Sequence, residues 1–338
     1  MRAGSAEGAT DVRLEQLRAW LGTVLGAEPG SLQPISSDAS FRRYFRLRHG
    51  GDTLVAMDSP PDREPPAPFV HVAALLRGAG VNAPRILEAD LEHGFLLLSD
   101  LGRRSYLEVL DHENADELFG DALAALVRWQ LATRPGELLL YDRARLRAEL
   151  ELFADWYVGA HLGLPLRGKR REAWAGTCEL LLDSALAQPR VYVHRDYMPR
   201  NLLLSDPNPG VIDFQDALEG PVTYDVVCLF RDAFLSWEEE RVRDWALEYR
   251  EHAERAGLPV PAGRDEFLRA FDWMGMQRHL KVLGIFARLC HRDGKPAYIA
   301  DAPRFLAYLR TAAHRYAAFR GLLRLLDELE ADAGRGSR

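Results

Sequence analysis

The stretch Val193-His194-Arg195-Asp196-Tyr197-Met198-Pro199-Arg200-Asn201 sets an acid five residues before a carboxamide, and Gly210-Val211-Ile212-Asp213-Phe214 ends an apolar run in a second acid. Transfer of a terminal phosphoryl group needs an acceptor for the proton of the attacking hydroxyl and hard oxygen ligands for magnesium, and little further covalent chemistry. Asp196 fits the first need as catalytic base; Asn201 and Asp213 fit the second as metal ligands. Each fragment alone is weak, because His-x-Asp recurs by chance and an Asp before a turn is often only a cap. Their joint spacing is what singles them out.

Such a site makes demands on the chain around it. Val191, Tyr192 and Val193 read as a short strand and Asn201 to Leu204 as another, so the loop between them can hold Asp196 and Asn201 side by side. Ser205-Asp206-Pro207-Asn208-Pro209-Gly210 consists wholly of turn-formers and reads as a hairpin tip that returns Asp213 to the same pocket.

These residues resemble the aminoglycoside-phosphotransferase and choline-kinase-like family, which shares the protein-kinase fold. The segments Ser36–Arg46, Gly94–Gly102, Asp213–Ala217 and Gln277–Gly284 are similar to one branch of it, the bacterial cell-wall sugar kinases acting on the anomeric hydroxyl of N-acetylmuramate and N-acetylglucosamine. The resemblance implies an α+β, two-lobed fold, with a small antiparallel-sheet nucleotide-binding lobe over residues 1–101, hinge included, and a large helical catalytic and substrate-binding lobe over 102–338. It implies ATP and Mg²⁺ as cofactors and an amino sugar as partner. Nucleotide contacts are expected at Ser40 in the turn 36–40 and at Leu98, Ser99 and Asp100, where an apolar strand ends in a polar turn suited to a hinge. Asp225, after Pro221 and before an apolar run, suits a helix N-cap; the resemblance adds a role in buttressing the catalytic loop.

With 338 residues, 47% of them hydrophobic, the chain can bury one large two-lobed core. Its three cysteines, Cys178, Cys228 and Cys290, lie in apolar helical surroundings, which suits reduced core thiols and neither a disulfide framework nor a zinc site. Residues 1–10 are small and polar, so no signal peptide or membrane span is expected and the cytoplasm follows. A net charge of -7 argues against nucleic acid as a partner.

Periodicity predicts an opening helix over 11–26, strands at 32–35, 41–48, 53–57, 85–90 and 95–99, and a helix over 69–78. From Tyr106 onward helical windows dominate, near 115–133, 142–162, 169–187, 224–237, 239–256, 264–290 and 302–329. Gly163–Arg170 nearly spells a phosphate-binding loop, but a helix precedes it and Arg170 stands where a Ser or Thr would touch magnesium; an interhelical turn is expected.

Two departures from the family pattern stand out. Kinases of this fold grip the phosphates with a third-strand Lys paired to a Glu on the next helix, yet Thr53–Asp58 has no basic residue and Phe69–Gly78 no acid. Arg42, Arg43 and Arg46 offer cations on the preceding strand. Alternation sets Arg43 apart from the other two, and Arg43 is the expected phosphate contact unless the run is simply a solvated basic edge. Met198 stands where relatives carry Lys or His; Arg200 either replaces that charge or lies at the surface.

Acceptor choice is expected in the later helices. Trp273–Arg310 holds seven Lys or Arg against Asp293 and Asp301, a surplus that suits a carboxylate-bearing sugar better than a polycationic aminoglycoside. Asp216, Arg231, Gln277, Arg278 and Lys281 are the candidate sugar contacts, although Gln277 and Lys281 share a helical stripe that Arg278 does not. Trp237, Trp273 and Tyr298 can pack on a sugar ring or in the core. Two rivals stay open: another small-alcohol kinase of the same fold, and a non-catalytic nucleotide-binding module.

Overall fold

The computed structural model describes residues 11–35 and 41–336. Its contacts divide the chain into two units, one of residues 1–104 with 203–216, the other of 105–202 with 217–338. The division falls three residues beyond the expected boundary at 101 and adds a later segment to the first unit. Ser40 lies outside the described residues.

In the first unit, helix α1 (Val12–Leu25) is capped by Asp11, which accepts the Leu14 N–H, and is stopped at Gly26, whose φ of 65° a side chain would resist. Strands β1 (Gln33–Ile35), β2 (Arg43–His49) and β3 (Asp52–Asp58) follow, then α2 (Ala67–Gly78), β4 (Ile86–Asp90) and β5 (Phe95–Ser99). They form an antiparallel sheet in the order β1-β2-β3-β5-β4. Alternation along β2 buries Phe45 and Leu47 in one cluster with Leu17 and Leu21 of α1, so α1 covers one face of the sheet. The five expected strands and both helices are present.

The second unit opens with α3 (Tyr106–Val109) and α4 (Ala115–Leu131). Helix α5 (Arg143–Leu152) runs directly into a π-helical stretch, Phe153–His161, and α6 (Lys169–Leu186) and β6 (Arg190–Val193) come next. A 3₁₀ turn, Pro199–Asn201, occupies the start of the strand expected over 201–204; only β7 (Leu202–Leu203) is extended. Leu203 and β8 (Gly210–Val211) are arms of the short hairpin that belongs to the first unit. Strand β9 (Leu218–Pro221) pairs antiparallel with β6. Helices α7 (Tyr224–Phe230), α8 (Glu239–Arg255), α9 (Arg264–His291), α10 (Ala302–His314) and α11 (Arg320–Gly336) complete the chain.

Two helical expectations are corrected. The window 224–237 ends at Phe230, because Asp232 turns its carboxylate onto the Phe234 and Leu235 N–H groups and so offers the backbone an alternative to the helix. The window 302–329 breaks at Arg315 and Tyr316, whose side chains bond the fully buried Asp272 of α9. Among the described residues no helix is long and apolar enough to cross a membrane.

Candidate active site

Strand β6 delivers the chain into the loop that carries Asp196. His194 is buried, and its Nδ1 accepts the Asp196 N–H at 3.3 Å. The Met198 N–H returns to the Asp196 carbonyl at 2.9 Å, and the Asn201 N–H to the Met198 carbonyl at 2.8 Å, so the loop closes into a tight coil. Pro199, with its fixed φ, starts the 3₁₀ turn. Asn201 donates Nδ2 to the Asp196 carbonyl at 2.9 Å, which sets the two residues side by side as expected. The carboxamide oxygen is the atom of Asn201 with the chemistry of a hard ligand. Fully buried Tyr197 pins the loop to α4 through its hydroxyl, which donates to the Ala122 carbonyl at 2.8 Å.

Asp225 sits inside the first turn of α7 rather than at its N-cap, which is Thr223. Its carboxylate accepts the His194 N–H at 2.7 Å and the Arg195 N–H at 2.9 Å, so the buttressing implied by the family likeness is present and the capping is not. Burial pushes this carboxyl up to about 7 against the pull of those two donors. Cys228, one turn on, donates its thiol to the Arg195 carbonyl at 3.1 Å and accepts Arg278 Nε at 2.9 Å. Burial pushes the thiol up to about 12, so it stays protonated and can donate.

The Arg195 side chain is held as well. Its Nη2 donates to Glu149 Oε1 at 2.6 Å, and its guanidinium lies 5.3 Å from the centre of the Tyr141 ring. Glu149, on α5, also takes Lys281 Nζ at 2.9 Å, the Tyr141 hydroxyl, and Gln277 Nε2 at 3.3 Å. Burial works to raise Glu149, but Lys281 and Arg195 outweigh it and hold the carboxyl at about 2. Glu149 carried no motif. It lies in an ordinary leucine-rich helical window, and the only signal that could have found it is a tertiary contact.

In the first unit, Asp213 has a φ of 63°, a left-handed conformation that Asp tolerates better than most residues. Gln215 Nε2 donates to its Oδ1 at 3.0 Å, and Phe214 beside it packs on Phe69 at 4.7 Å. Among the nucleotide candidates, Ser99 commits its N–H to the Arg85 carbonyl and its hydroxyl oxygen to the Arg85 N–H, both at 2.9 Å. Leu98 is buried and paired with Val55 and Ile86. Asp100 receives Arg46 at 2.6 and 2.9 Å and the Gly102 N–H at 3.1 Å. Arg43 faces the α1 side of the sheet, where it and Arg13 each place Nε 2.9 Å from the fully buried Asp58 and where Asp11 is a second partner for Arg43. Arg42 pairs with Glu64. Arg42, Arg43 and Arg46 thus all have carboxylates within their own unit, and Arg43 shares with Arg13 the work of neutralising Asp58.

The sugar candidates are placed as follows. Arg231 is buried between Asp272 at 2.7 Å and Glu239 at 2.9 Å, an internal ion cluster. Gln277 and Lys281 share their stripe on Glu149, while Arg278 points to Cys228, as the helical spacing required. Asp216 belongs to the first unit with Asp213. The basic surplus of Trp273–Arg310 is offset in part from outside that window, since Lys281 pairs with Glu149 and Arg310 with Asp327 and Glu330. The charge argument for a carboxylate-bearing substrate is reduced by those two cations, Lys281 and Arg310. Trp237, Trp273 and Tyr298 pack against other rings. Arg200 lies 5.2 Å from the centre of the Phe234 ring.

Comparison with known proteins places the chain in a family. A family model described as the phosphotransferase enzyme family matches residues 31–267. The chain is 56% identical over 333 residues to the N-acetylmuramate/N-acetylglucosamine kinase of Pseudomonas aeruginosa, covering 96% of this chain and 98% of that protein. It is 48% identical over 322 residues to the protein of the same name from Neisseria meningitidis, covering 94% and 96%. Among solved structures, it is similar to ADP-bound aminoglycoside phosphotransferase APH(2'')-Ib, with a TM-score of 0.60 at 16% identity over 90% of this chain and 99% of that one. The choline kinase LicA from Streptococcus pneumoniae gives a TM-score of 0.61 at 12% identity over 89% and 100%. These likenesses show the protein-kinase-like fold, and the matched residues and high-identity relatives show the family: the chain belongs to the phosphotransferase enzyme family.

Proposed function

We propose that the protein is an ATP- and magnesium-dependent sugar kinase that phosphorylates the anomeric hydroxyl of N-acetylmuramate and N-acetylglucosamine. The observation that carries this is the near-full-length identity to kinases named for those two sugars. Asp196 accepts the proton of the attacking hydroxyl, late in a loose transition state where positioning carries most of the rate. An anomeric hydroxyl is more acidic than an ordinary alcohol, which eases that demand. Asn201 and Asp213 are the proposed magnesium ligands on the ground of their oxygen chemistry and sequence spacing; a bound ion would offset charge on the phosphate oxygens. The backbone of Leu98 to Asp100 is the proposed adenine contact, within which the Ser99 N–H is already committed to the Arg85 carbonyl. Asp216 is the proposed partner of sugar hydroxyls, and a cytoplasmic setting suits a kinase that draws on ATP.

A panel of amino sugars assayed for ADP release, with the phosphorylated carbon located by NMR, tests the proposal. Turnover of both sugars with phosphate at carbon 1 is expected. Phosphate at carbon 6, or no turnover of either sugar, overturns it.

A further inference from the structure

Arg195 stands immediately before Asp196 and has a φ of 75°, a backbone conformation that a residue with a Cβ adopts only when its surroundings hold it there. Clamps on Arg195 reach in from separate helices. Asp225 of α7 takes its N–H and Cys228 of α7, backed by Arg278 of α9, takes its carbonyl. A further clamp acts on the side chain, through Glu149 of α5 and the face of Tyr141. The backbone clamps fix where the peptide runs. The side-chain clamp fixes which way the residue is turned about it, and through the shared peptide plane the direction in which Asp196 leaves the loop.

We propose that Glu149 is a positioning residue for phosphoryl transfer, acting on Asp196 through Arg195. Glu149 is suited to this because it is itself immobilised: Lys281 and Gln277 of α9 and the Tyr141 hydroxyl approach it from other directions, so Arg195 meets a fixed carboxylate and not a mobile one. Lys281 supplies the second positive charge that makes a buried carboxylate tolerable between two cations. Gly284, one turn beyond Lys281, allows the close approach: a Cβ there would lie 2.3 Å from the Leu152 carbonyl carbon of α5. In this arrangement Gln277 and Lys281 reach the reaction by way of Glu149 and need not touch the sugar.

The inference rests on Asp196 being the catalytic base, and its test is a double-mutant cycle on the full-length protein with whichever sugar the wild type turns over. Glu149→Gln keeps the shape and removes the charge; Arg195→Met removes the group through which Glu149 acts. Each single variant is expected to lower kcat by roughly 10- to 100-fold with KM for sugar and nucleotide held within about 2-fold, because an aligned group is lost while binding is not. The double variant is expected to be no slower than Arg195→Met alone. Losses that multiply in the double variant overturn the proposal, as does a raised sugar KM at unchanged kcat, which would put Glu149 or its partners in the sugar site. Should Glu149→Gln not fold, Glu149→Asp and Arg195→Lys, which keep the charges and shorten the reach, run the same cycle. Asp196→Asn is assayed in parallel: a wild-type rate there removes the catalytic base itself, a result distinct from a failed cycle.

Discussion

Asp196 is held by its backbone on both sides, so the consequence of altering its carboxylate can be separated from the consequence of altering its support. Asp196→Asn keeps the shape of the loop and removes the proton acceptor; kcat is expected to fall by roughly 10²–10⁴ with the thermal midpoint unchanged, and single-turnover assays check it. Asp225 differs, since it bonds the loop through backbone N–H groups. Its carboxyl is raised from an ordinary value of 3.8 to about 7, so its stabilising contribution to folding is complete below 3.8 and is lost as pH climbs through about 7. Over that interval the ionised form bonds the His194 and Arg195 N–H groups more strongly and costs more to bury. Asp225→Asn is therefore expected to flatten the decline of thermal midpoint between about pH 4 and pH 7. Thermal unfolding at a series of pH values checks this, and a slope matching wild type means the group does not titrate there.

Helix α9 organises the second unit, and the rest of its neighbours are arranged by how closely it can be approached. At Gly284 it meets the junction where α5 gives way to the π-helical stretch, with Leu152 backbone atoms where any Cβ would sit. Backbone cannot swing aside as a flexible side chain can. Gly284→Ala is expected to cost about 1–3 kcal/mol in thermal or denaturant unfolding. Gly176, on the exposed side of α6 with nothing within 4 Å of where a methyl group would sit, is the control. Gly176→Ala should instead stabilise by about 0.5–1 kcal/mol, because only the conformational freedom of glycine is removed. Asp272 of α9 does comparable work through charge, gathering Arg231, Arg243 and Arg315, and it is what ends α10 where periodicity alone would have continued it.

The two units are interleaved along the chain, which crosses between them after residues 104, 202 and 216. The first unit is therefore not a contiguous N-terminal piece. Within it, the Val211 N–H bonds the Asn82 carbonyl at 2.7 Å, Asn82 Nδ2 bonds Ser205 Oγ at 3.1 Å, and Phe214 packs on Phe69. A fragment of residues 1–104 lacks all of these partners and would expose Phe69, which is 3% exposed in the full chain. Such a fragment is expected to unfold at a lower temperature than a version carrying 203–216 on a flexible linker, by circular dichroism. Equal midpoints would mean that the later segment adds nothing to the unit.

What could be read from residue order was whatever depends on near neighbours. Alternation and helical spacing located the five strands, α1 and α2, because side-chain direction repeats over two to four residues. Turn chemistry at 205–210 and the spacing of Asp196 and Asn201 located the loop, since Pro199 and a few local hydrogen bonds close it. Beyond that reach the sequence is silent about partners. It could not say that Arg43 faces Asp58 and Asp11, that Glu149 joins Arg195 to Lys281, or that acids outside Trp273–Arg310 offset part of its basic surplus. Coulombic and hydrogen-bonding partners are chosen by proximity in space, and residues 46 or 132 places apart along the chain come together only when the helices between them pack. For the same reason Asp225 could be suspected of capping its own helix from the order of residues, while packing of α7 against the loop turned its carboxylate to His194 and Arg195.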